Sequence, residues 1–217
     1  MTSLPAGIEK LFSAVLSDAL DAAGEMHQAF PPRIRPLDLD TIMIGRARTA
    51  IYREVVDVPA GHNPYALEIE LVDSLQPGEV AVMACGGSGQ IAPWGGLLST
   101  AAKVRGAAGC VTDGFVRDIK TIRELAFPVY HAGIAPLDSK GRGEIVAIDQ
   151  TVHCAGVRVS SGDLVFGDAD GVVVVPGHLE AQVIETALSK VNSEDSTTKA
   201  LLEGASLADV FARFKVL

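Results

Sequence analysis

Five short apolar runs constrain the fold of this chain most strongly. Glycine and proline mark the ends of these runs, which cover residues 80–83, 109–111, 129–131, 145–148 and 172–175. Runs of this length predict buried strands, because a membrane-spanning helix needs at least about 18 apolar residues. Residues 8–23 have helical periodicity instead, and Pro31 and Pro32 interrupt it before a predicted strand at 41–52. We therefore expect a mixed α/β domain with many short strands.

The C-terminal quarter predicts two more helices, at residues 178–190 and 196–211. The polar segment 192–195 between them is typical of an exposed helix cap. No repeat or low-complexity linker divides the chain, and 217 residues can bury a substantial core. Residues 1–217 are therefore predicted to form a single domain.

Composition narrows the class of partner. The formal net charge of -9 argues against nonspecific binding to nucleic acid, whose phosphates attract basic surfaces. Residues 1–10 lack a basic segment followed by an apolar core, so we expect no secretory signal and a cytoplasmic location. Cys85, Cys110 and Cys154 lack metal-ligand spacing, which favours reduced thiols. The histidines show no such spacing either. Neither nucleic acid nor membrane is an expected partner.

Two motifs contain the candidate functional residues of this sequence. The first, WGGLLS at 94–99, places a Gly pair before a predicted helix at 97–105, and the free amides of a helix start attract anions. The second, DGFVRD at 113–118, is a turn after a predicted strand, with Arg117 and Asp118 opening the next helix. We expect the anion site and the Arg-Asp pair to converge.

Such a set suits chemistry on a 2-oxo acid. Backbone amides would hold the carboxylate, Asp118 would help to hold a divalent metal, and Arg117 would stabilise negative charge on the keto oxygen. Taken alone, an Arg-Asp pair is more typical of a solvated helix start, and a Gly pair is more typical of a plain loop. The two motifs by themselves therefore leave the function open.

The order of motifs along nearly the whole chain extends this interpretation. They are SDALD at 17–21, PGEVAV at 77–82, WGGLL at 94–98, AKVRG at 102–106, DGFVRD at 113–118, FPVY at 127–130, SGDLV at 161–165 and DADGVVVVP at 168–176. In this order they resemble the class II pyruvate aldolases that cleave 4-hydroxy-4-methyl-2-oxoglutarate, in the superfamily shared with the ribonuclease regulator RraA. The resemblance implies a three-layer β/β/α swivelling-type sandwich. It also implies homotrimers or homohexamers with active sites between subunits.

The resemblance assigns roles to the two motifs. It implies that Asp118 is the direct protein ligand of Mg²⁺ or Mn²⁺ and that Arg117 contacts the pyruvyl oxygen at the enolate stage. It further implies that the helix start at Gly95 and Gly96 receives the substrate carboxylate on nearby amides, those of Leu97 and Leu98.

The implied reaction cleaves 4-hydroxy-4-methyl-2-oxoglutarate, or a related 4-hydroxy-2-oxo acid, to pyruvate. Oxaloacetate decarboxylation passes through the same enolate and is expected beside it. In similar enzymes a carboxylate from a neighbouring subunit orients the water that acts as base. Glu194 is the candidate for that carboxylate, although its segment also fits an exposed cap.

Four departures from the family pattern stand out. Leu97 stands where a polar residue is common, Thr121 where many relatives have a carboxylate, and Cys85 where an aspartate is common; the arginine common after the Pro-Val segment is missing at His131 and Ala132. These departures indicate a different substrate specificity.

Two alternatives stay open at this stage. Lys103 would be a Schiff-base nucleophile in a class I aldolase, although its place on a helix flank favours packing or surface exposure. An RraA-like regulator would keep the fold and act by binding a ribonuclease without catalysis.

Overall fold

The computed structural model describes residues 3–214, apart from the side chain of Asp195. After a 3₁₀ turn at Ile8–Lys10, the helices are α1 (Ser13–Ala22), α2 (Ala66–Ser74), α3 (Gly96–Val104), α4 (Ile119–Glu124), α5 (Glu180–Leu202) and α6 (Leu207–Phe214). The strands are β1 (Arg35–Pro36), β2 (Met43–Glu54), β3 (Glu79–Ala84), β4 (Gly109–Thr112), β5 (Phe115–Val116), β6 (Val129–His131), β7 (Gly133–Ile134), β8 (Gly143–Ile148), β9 (Val152–Cys154), β10 (Val157–Val159), β11 (Leu164–Gly167) and β12 (Val172–Val175).

One eight-stranded mixed sheet organises these elements. Its strand order is β1-β6-β4-β3-β2-β11-β12, and β8 pairs with β2 outside that path. The strands β2, β3, β4 and β6 run parallel to one another. Parallel strands end at the same edge of a sheet, where ligand sites of α/β proteins commonly lie.

The side chains of β2 show that the sheet separates two hydrophobic cores. Successive side chains of a strand point to opposite faces, so neighbouring residues of β2 join different cores. Ala50 and Tyr52 join a core with α2, α3 and α4 on one face. Ala47 joins a second core on the other face, which the β9-β10 hairpin covers. Helices, central sheet and hairpin thus form the three predicted layers.

A third core lies at the β11-β12 end of the sheet. Leu164 and Phe166 on β11 pack with α1 and α5, whereas Val165 between them faces the hairpin core. The alternation lets one strand contribute to two cores, so the terminal helices are fixed to the same sheet as the central ones.

Most predicted elements occur, with shifted ends. The predicted helix at 8–23 is α1 preceded by the 3₁₀ turn, and the predicted strand at 41–52 is β2. The predicted break at 192–195 is wrong, because α5 continues through it. The hydroxyl of Ser193 donates to the carbonyl of Ser189 one turn earlier, so it does not cap a new helix. None of the described helices is both long enough and apolar enough to cross a membrane.

Candidate active site

Trp94 joins the two sequence motifs. Its indole is fully buried, donates a 2.8 Å hydrogen bond from Nε1 to Ser99 Oγ, and stacks on Phe127 with ring centroids 6.2 Å apart. The backbone of Trp94 pairs with Val116, and its carbonyl accepts the N–H of Arg117 at 3.1 Å. The loop after β3 is thereby attached to the β5-α4 junction, as the sequence predicts.

Asp118 has a left-handed backbone, with φ 60° and ψ 39°, at the residue before α4. Its carboxylate makes no capping bond to α4. Instead, Asp118 Oδ2 accepts the N–H of Gly96, the first residue of α3, at 3.0 Å. A left-handed backbone is costly for a residue with a Cβ and is concentrated at functional sites. The strained position turns the carboxylate across to the start of α3.

The glycine at position 95 makes this contact possible. A Cβ at Gly95 would lie 2.8 Å from Asp118 Oδ2 and 3.1 Å from Arg117 Cγ, which is closer than side chains pack. A Cβ at Gly96 would lie 3.1 Å from atoms of both Asp118 and Thr121. Both glycines therefore serve close packing between the two motifs.

Two amides at the start of α3 have no acceptor among the described residues. The N–H of Gly96 is used by Asp118, and Ser99 returns its N–H to the carbonyl of Gly95 at 3.0 Å. Within residues 3–214, no acceptor pairs with the N–H groups of Leu97 and Leu98. Unpaired donors at a helix start attract a carboxylate or phosphate, so this end of α3 has the capacity for an anion.

Arg117 lies between acidic groups. Its Nη1 donates to the carbonyl of Leu137 at 3.2 Å, its Nη2 lies 3.6 Å from Asp138 Oδ1, and its Nε lies 4.0 Å from Asp118 Oδ2. The side chain is 39% exposed, so the guanidinium remains accessible to a ligand.

A cavity of about 300 Å³ contains these groups. Besides the two motifs, its wall includes Tyr65, Glu68 and Ile69 around α2, together with Asp138 and Ser139 from the loop before β8. None of these five residues was predicted from the sequence. Turn-forming residues around Asp138 indicate a loop there. No sequence motif links Tyr65, Glu68 or Ile69 to the site.

The pKa values of the two acids of this wall are shifted in opposite directions. Burial raises the pKa of Glu68, and the negative charge of Asp138 adds to that effect, while a hydrogen bond donated by Tyr52 opposes it. Partial burial alone would raise the pKa of Asp138, but the 2.9 Å hydrogen bond from Tyr65, backbone amides and the Arg117 charge together lower it. Tyr65 in turn has its pKa raised to about 12 by burial and by Asp138. Relative to a free carboxyl group, the structure thus favours the ionised form of Asp138 and the neutral form of Glu68.

Asp118 could provide one carboxylate oxygen to a hard divalent cation. Its Oδ1 accepts no hydrogen bond from any residue in 3–214, and the side chain is 49% exposed in the cavity. No group of three or more His, Cys, Asp or Glu residues among those described could enclose an ion. A single carboxylate is compatible with Mg²⁺ in general, because Mg²⁺ commonly binds one or two carboxylates and completes its shell with water and substrate oxygens.

The other predicted site residues lie elsewhere. Glu194 is on α5, where Lys190 Nζ lies 3.8 Å from its Oε1, and it does not line the cavity of its own chain. Lys103 is exposed and donates to the carbonyl of Leu125, outside the cavity, which does not fit a Schiff-base nucleophile. Cys85 is buried, and its N–H donates to Asp113 Oδ1 at 2.5 Å, so Asp113 fixes the loop after β3.

Comparison with known proteins identifies the family. The profile of the RraA-like family, Aldolase/RraA, matches residues 13–174. A protein of Halalkalibacterium halodurans, provisionally named 4-hydroxy-4-methyl-2-oxoglutarate aldolase, is 34% identical over 186 residues, which are 86% of this chain and 82% of that protein. An uncharacterised protein of Methanocaldococcus jannaschii is 33% identical over 163 residues, covering 74% of this chain and 77% of its own length.

Solved structures agree with this match. An uncharacterised protein from Pseudomonas syringae superposes with a TM-score of 0.82 at 28% identity, covering 97% of this chain and 99% of its own. Streptomyces coelicolor RraAS2, described as an unusual member of the RNase ES inhibitor RraA protein family, superposes with a TM-score of 0.79 at 27% identity, covering 91% of this chain and 99% of its own. The chain therefore belongs to the RraA-like (Aldolase/RraA) family.

Proposed function

We propose that this protein is a divalent-metal-dependent aldolase that cleaves a 4-hydroxy-2-oxo acid to pyruvate, with oxaloacetate decarboxylation as a second activity. One observation carries the proposal: Arg117, the Asp118 carboxylate and two unpaired α3 amides converge on one cavity. A pyruvyl group needs these three functions, namely an anion site for its carboxylate, a cation for its keto oxygen, and a ligand for a metal. The name of the Halalkalibacterium relative supports the same chemistry.

The residues of this chain account for binding and charge stabilisation. The amides of Leu97 and Leu98 bind the substrate carboxylate, and Arg117 donates to the keto oxygen at C2. When the C4 hydroxyl loses its proton, its oxygen forms a double bond to C4, so that C4 leaves as the carbonyl carbon of the second product. The C3–C4 bond breaks, its electron pair forms the C2–C3 double bond, and the keto π pair moves onto the C2 oxygen to give the enolate. Arg117 binds the negative oxygen of that enolate more strongly than the neutral keto oxygen, which lowers the barrier. Protonation at C3 then gives pyruvate.

Asp118 would hold the Mg²⁺ or Mn²⁺ ion at the cavity. The ion would supply Lewis acidity toward the substrate oxygens. The proton acceptor for the C4 hydroxyl is assigned to a water oriented by a carboxylate from a neighbouring subunit, and Glu194 is the candidate. Its position outside the cavity of its own chain is compatible with a role in a partner's site within a homotrimer or homohexamer.

The test is pyruvate release, coupled to lactate dehydrogenase, after chelation and again after Mg²⁺ or Mn²⁺ is restored. The panel contains 4-hydroxy-4-methyl-2-oxoglutarate, 4-hydroxy-2-oxopentanoate and oxaloacetate. Turnover of at least one substrate that disappears on chelation and returns with metal is expected. Folded protein that releases no pyruvate from any of them, with metal present, would contradict the proposal.

The likeness to RraAS2 favours a second candidate function, that of a protein that binds a ribonuclease. Its test is titration calorimetry with Streptomyces ribonuclease ES, in parallel with the pyruvate assay. Saturable binding together with absent turnover would favour this function, and turnover without binding would favour the aldolase.

A further inference from the structure

The loop between β7 and β8 contacts both terminal nitrogens of the Arg117 guanidinium. Arg117 Nη1 donates to the carbonyl of Leu137 at 3.2 Å, and Nη2 lies 3.6 Å from Asp138 Oδ1. The contact between Nε and Asp118 Oδ2 is longer, at 4.0 Å. Two neighbouring residues of one loop therefore account for the two shorter of these contacts.

Asp138 is itself held by a second element. The hydroxyl of Tyr65, the residue before α2, donates a 2.9 Å hydrogen bond to Asp138 Oδ2, whereas Arg117 faces Oδ1. Burial and the charge of Asp138 raise the pKa of Tyr65 to about 12, so the phenol keeps the proton that it donates. On the loop itself, Arg142 Nη1 donates to the Asp138 carbonyl at 3.2 Å. The carboxylate of Asp138 thus joins Tyr65 to Arg117, with one oxygen toward each.

Arg117 needs such a partner because an arginine side chain has many rotamers and this one is 39% exposed. A divalent cation on Asp118, as proposed above, would offset the charge of that carboxylate and repel the guanidinium. Among the described residues, Asp138 is the other acid that forms an ion pair with Arg117. The contacts from Tyr65 to Asp138 and from Asp138 to Arg117 form within one chain, without metal or substrate.

We propose that Asp138, held by Tyr65, is a positioning residue that keeps the Arg117 guanidinium directed at the keto oxygen of the substrate. This inference rests on the proposed aldolase function and assigns two further residues to it. An ion pair between partly exposed side chains contributes little to folding. The loss of Asp138 should therefore affect the reaction more than stability.

The first test compares kcat for pyruvate release. Asp138→Asn keeps the size of the side chain and removes its charge, and kcat should fall at least about tenfold, since a misplacement of 1 Å typically costs about a hundredfold. Tyr65→Phe removes only the hydroxyl and should lower kcat less. Asp73→Asn is the control, because Asp73 pairs with Arg105 outside the cavity. It should keep the wild-type kcat, and all three variants should unfold near the wild-type temperature.

A double variant separates positioning from a general structural role. If Asp138 acts through Arg117, Asp138→Asn should change kcat by less than about twofold in an Arg117→Ala background. A structural role of the loop would instead lower kcat by the same factor in both backgrounds.

Two binding measurements do not depend on turnover. Mn²⁺ affinity, measured by electron paramagnetic resonance, should be the same in Asp138→Asn and in the wild type, because Asp138 is assigned to Arg117 and not to the metal. Oxalate resembles the pyruvate enolate in shape and charge. Calorimetric titration of the Mn²⁺-loaded protein with oxalate should show at least about tenfold weaker binding in Asp138→Asn.

The outcomes separate this inference from the proposed function. Asp138→Asn with wild-type kcat and oxalate affinity, or with an equal loss of kcat in both backgrounds, would overturn the positioning role while the wild type still releases pyruvate. Weaker Mn²⁺ binding by Asp138→Asn would overturn it too, because Asp138 would then act on the metal. A wild type that releases no pyruvate from the panel above would refute the aldolase function and this inference with it.

Discussion

The carboxylate of Asp118 accepts a 3.0 Å hydrogen bond from the N–H of Gly96, which couples the start of α4 to the start of α3. The bond leaves the other carboxylate oxygen available to the cavity and keeps Arg117, the preceding residue, at the same wall. The site therefore depends on the close approach of the backbones at the starts of α3 and α4 as much as on the side chains of Asp118 and Arg117.

This close approach predicts the effect of a methyl group at position 95. Gly95→Ala would place a Cβ 2.8 Å from Asp118 Oδ2, so the carboxylate must move and the proposed turnover should fall by about a hundredfold. Gly89→Ala is the control, because a Cβ at Gly89 meets nothing within 4 Å. Pyruvate release and thermal unfolding should be measured for both. Equal activity of the two folded variants would contradict the proposed role of the contact.

Arg117 is predicted to stabilise the enolate. Arg117→Ala removes its charge and should lower kcat by about a hundredfold or more, a loss of ~3 kcal/mol. Lys120→Ala on α4 removes an equal charge whose side chain is 90% exposed, and should leave kcat unchanged. Steady-state pyruvate release distinguishes the two. An Arg117→Ala enzyme with normal kcat would exclude Arg117 from the chemistry.

The raised pKa of Glu68 predicts that the free energy of unfolding depends on pH. Its folded pKa lies above the unfolded value of about 4.3, so the unfolded state releases the proton more readily. The stability associated with neutral Glu68 is present below that unfolded pKa and is lost as pH rises through the folded pKa. Glu68→Gln, which stays neutral, should therefore reduce the fall in unfolding free energy over this interval.

Urea unfolding measured in steps between about pH 4 and pH 8 tests this prediction. Glu70→Gln on the exposed side of α2 removes the same formal charge and should retain the wild-type slope. If Glu68→Gln also retains the wild-type slope, burial does not raise the pKa of Glu68, and the prediction is wrong.

The proposed role of Glu194 is tested by subunit mixing. Arg117→Ala and Glu194→Ala homo-oligomers should each have low activity if Glu194 acts in a neighbouring subunit's site. Dissociated and reassembled together, they should recover part of the activity, because some interfaces then combine an intact Arg117 with an intact Glu194. Glu185→Ala, an exposed acid on the same helix, is the control. A fully active Glu194→Ala enzyme would exclude the assignment.

The sequence was informative wherever neighbours along the chain determine structure. The apolar runs predicted β3, β4, β6, β8 and β12, and the two motifs predicted the starts of α3 and α4. Helix α2 was missed, although its buried Leu71 and Val72 face the core, because the segment carries no cap or periodic signal strong enough to stand out. The capping residues expected at 192–195 lie inside α5, which continues to Leu202.

The rest of the site depends on contacts between distant segments. The Tyr52–Glu68 hydrogen bond joins β2 to α2, and Asp138 reaches Arg117 from a loop beyond β7. Neither pairing leaves a spacing that a sequence pattern could reveal. The motif residues were therefore predictable, and the acidic wall that sets the charge of the cavity was not.

The most direct measurement of the central claim is metal-dependent pyruvate release by the wild type and by Asp118→Asn, with Mn²⁺ affinity of both measured by electron paramagnetic resonance. We expect wild-type turnover that chelation abolishes and Mn²⁺ restores. In the variant we expect weaker Mn²⁺ binding and at least about hundredfold lower turnover. Pyruvate release that survives chelation, or an Asp118→Asn enzyme with wild-type turnover and Mn²⁺ affinity, would contradict it.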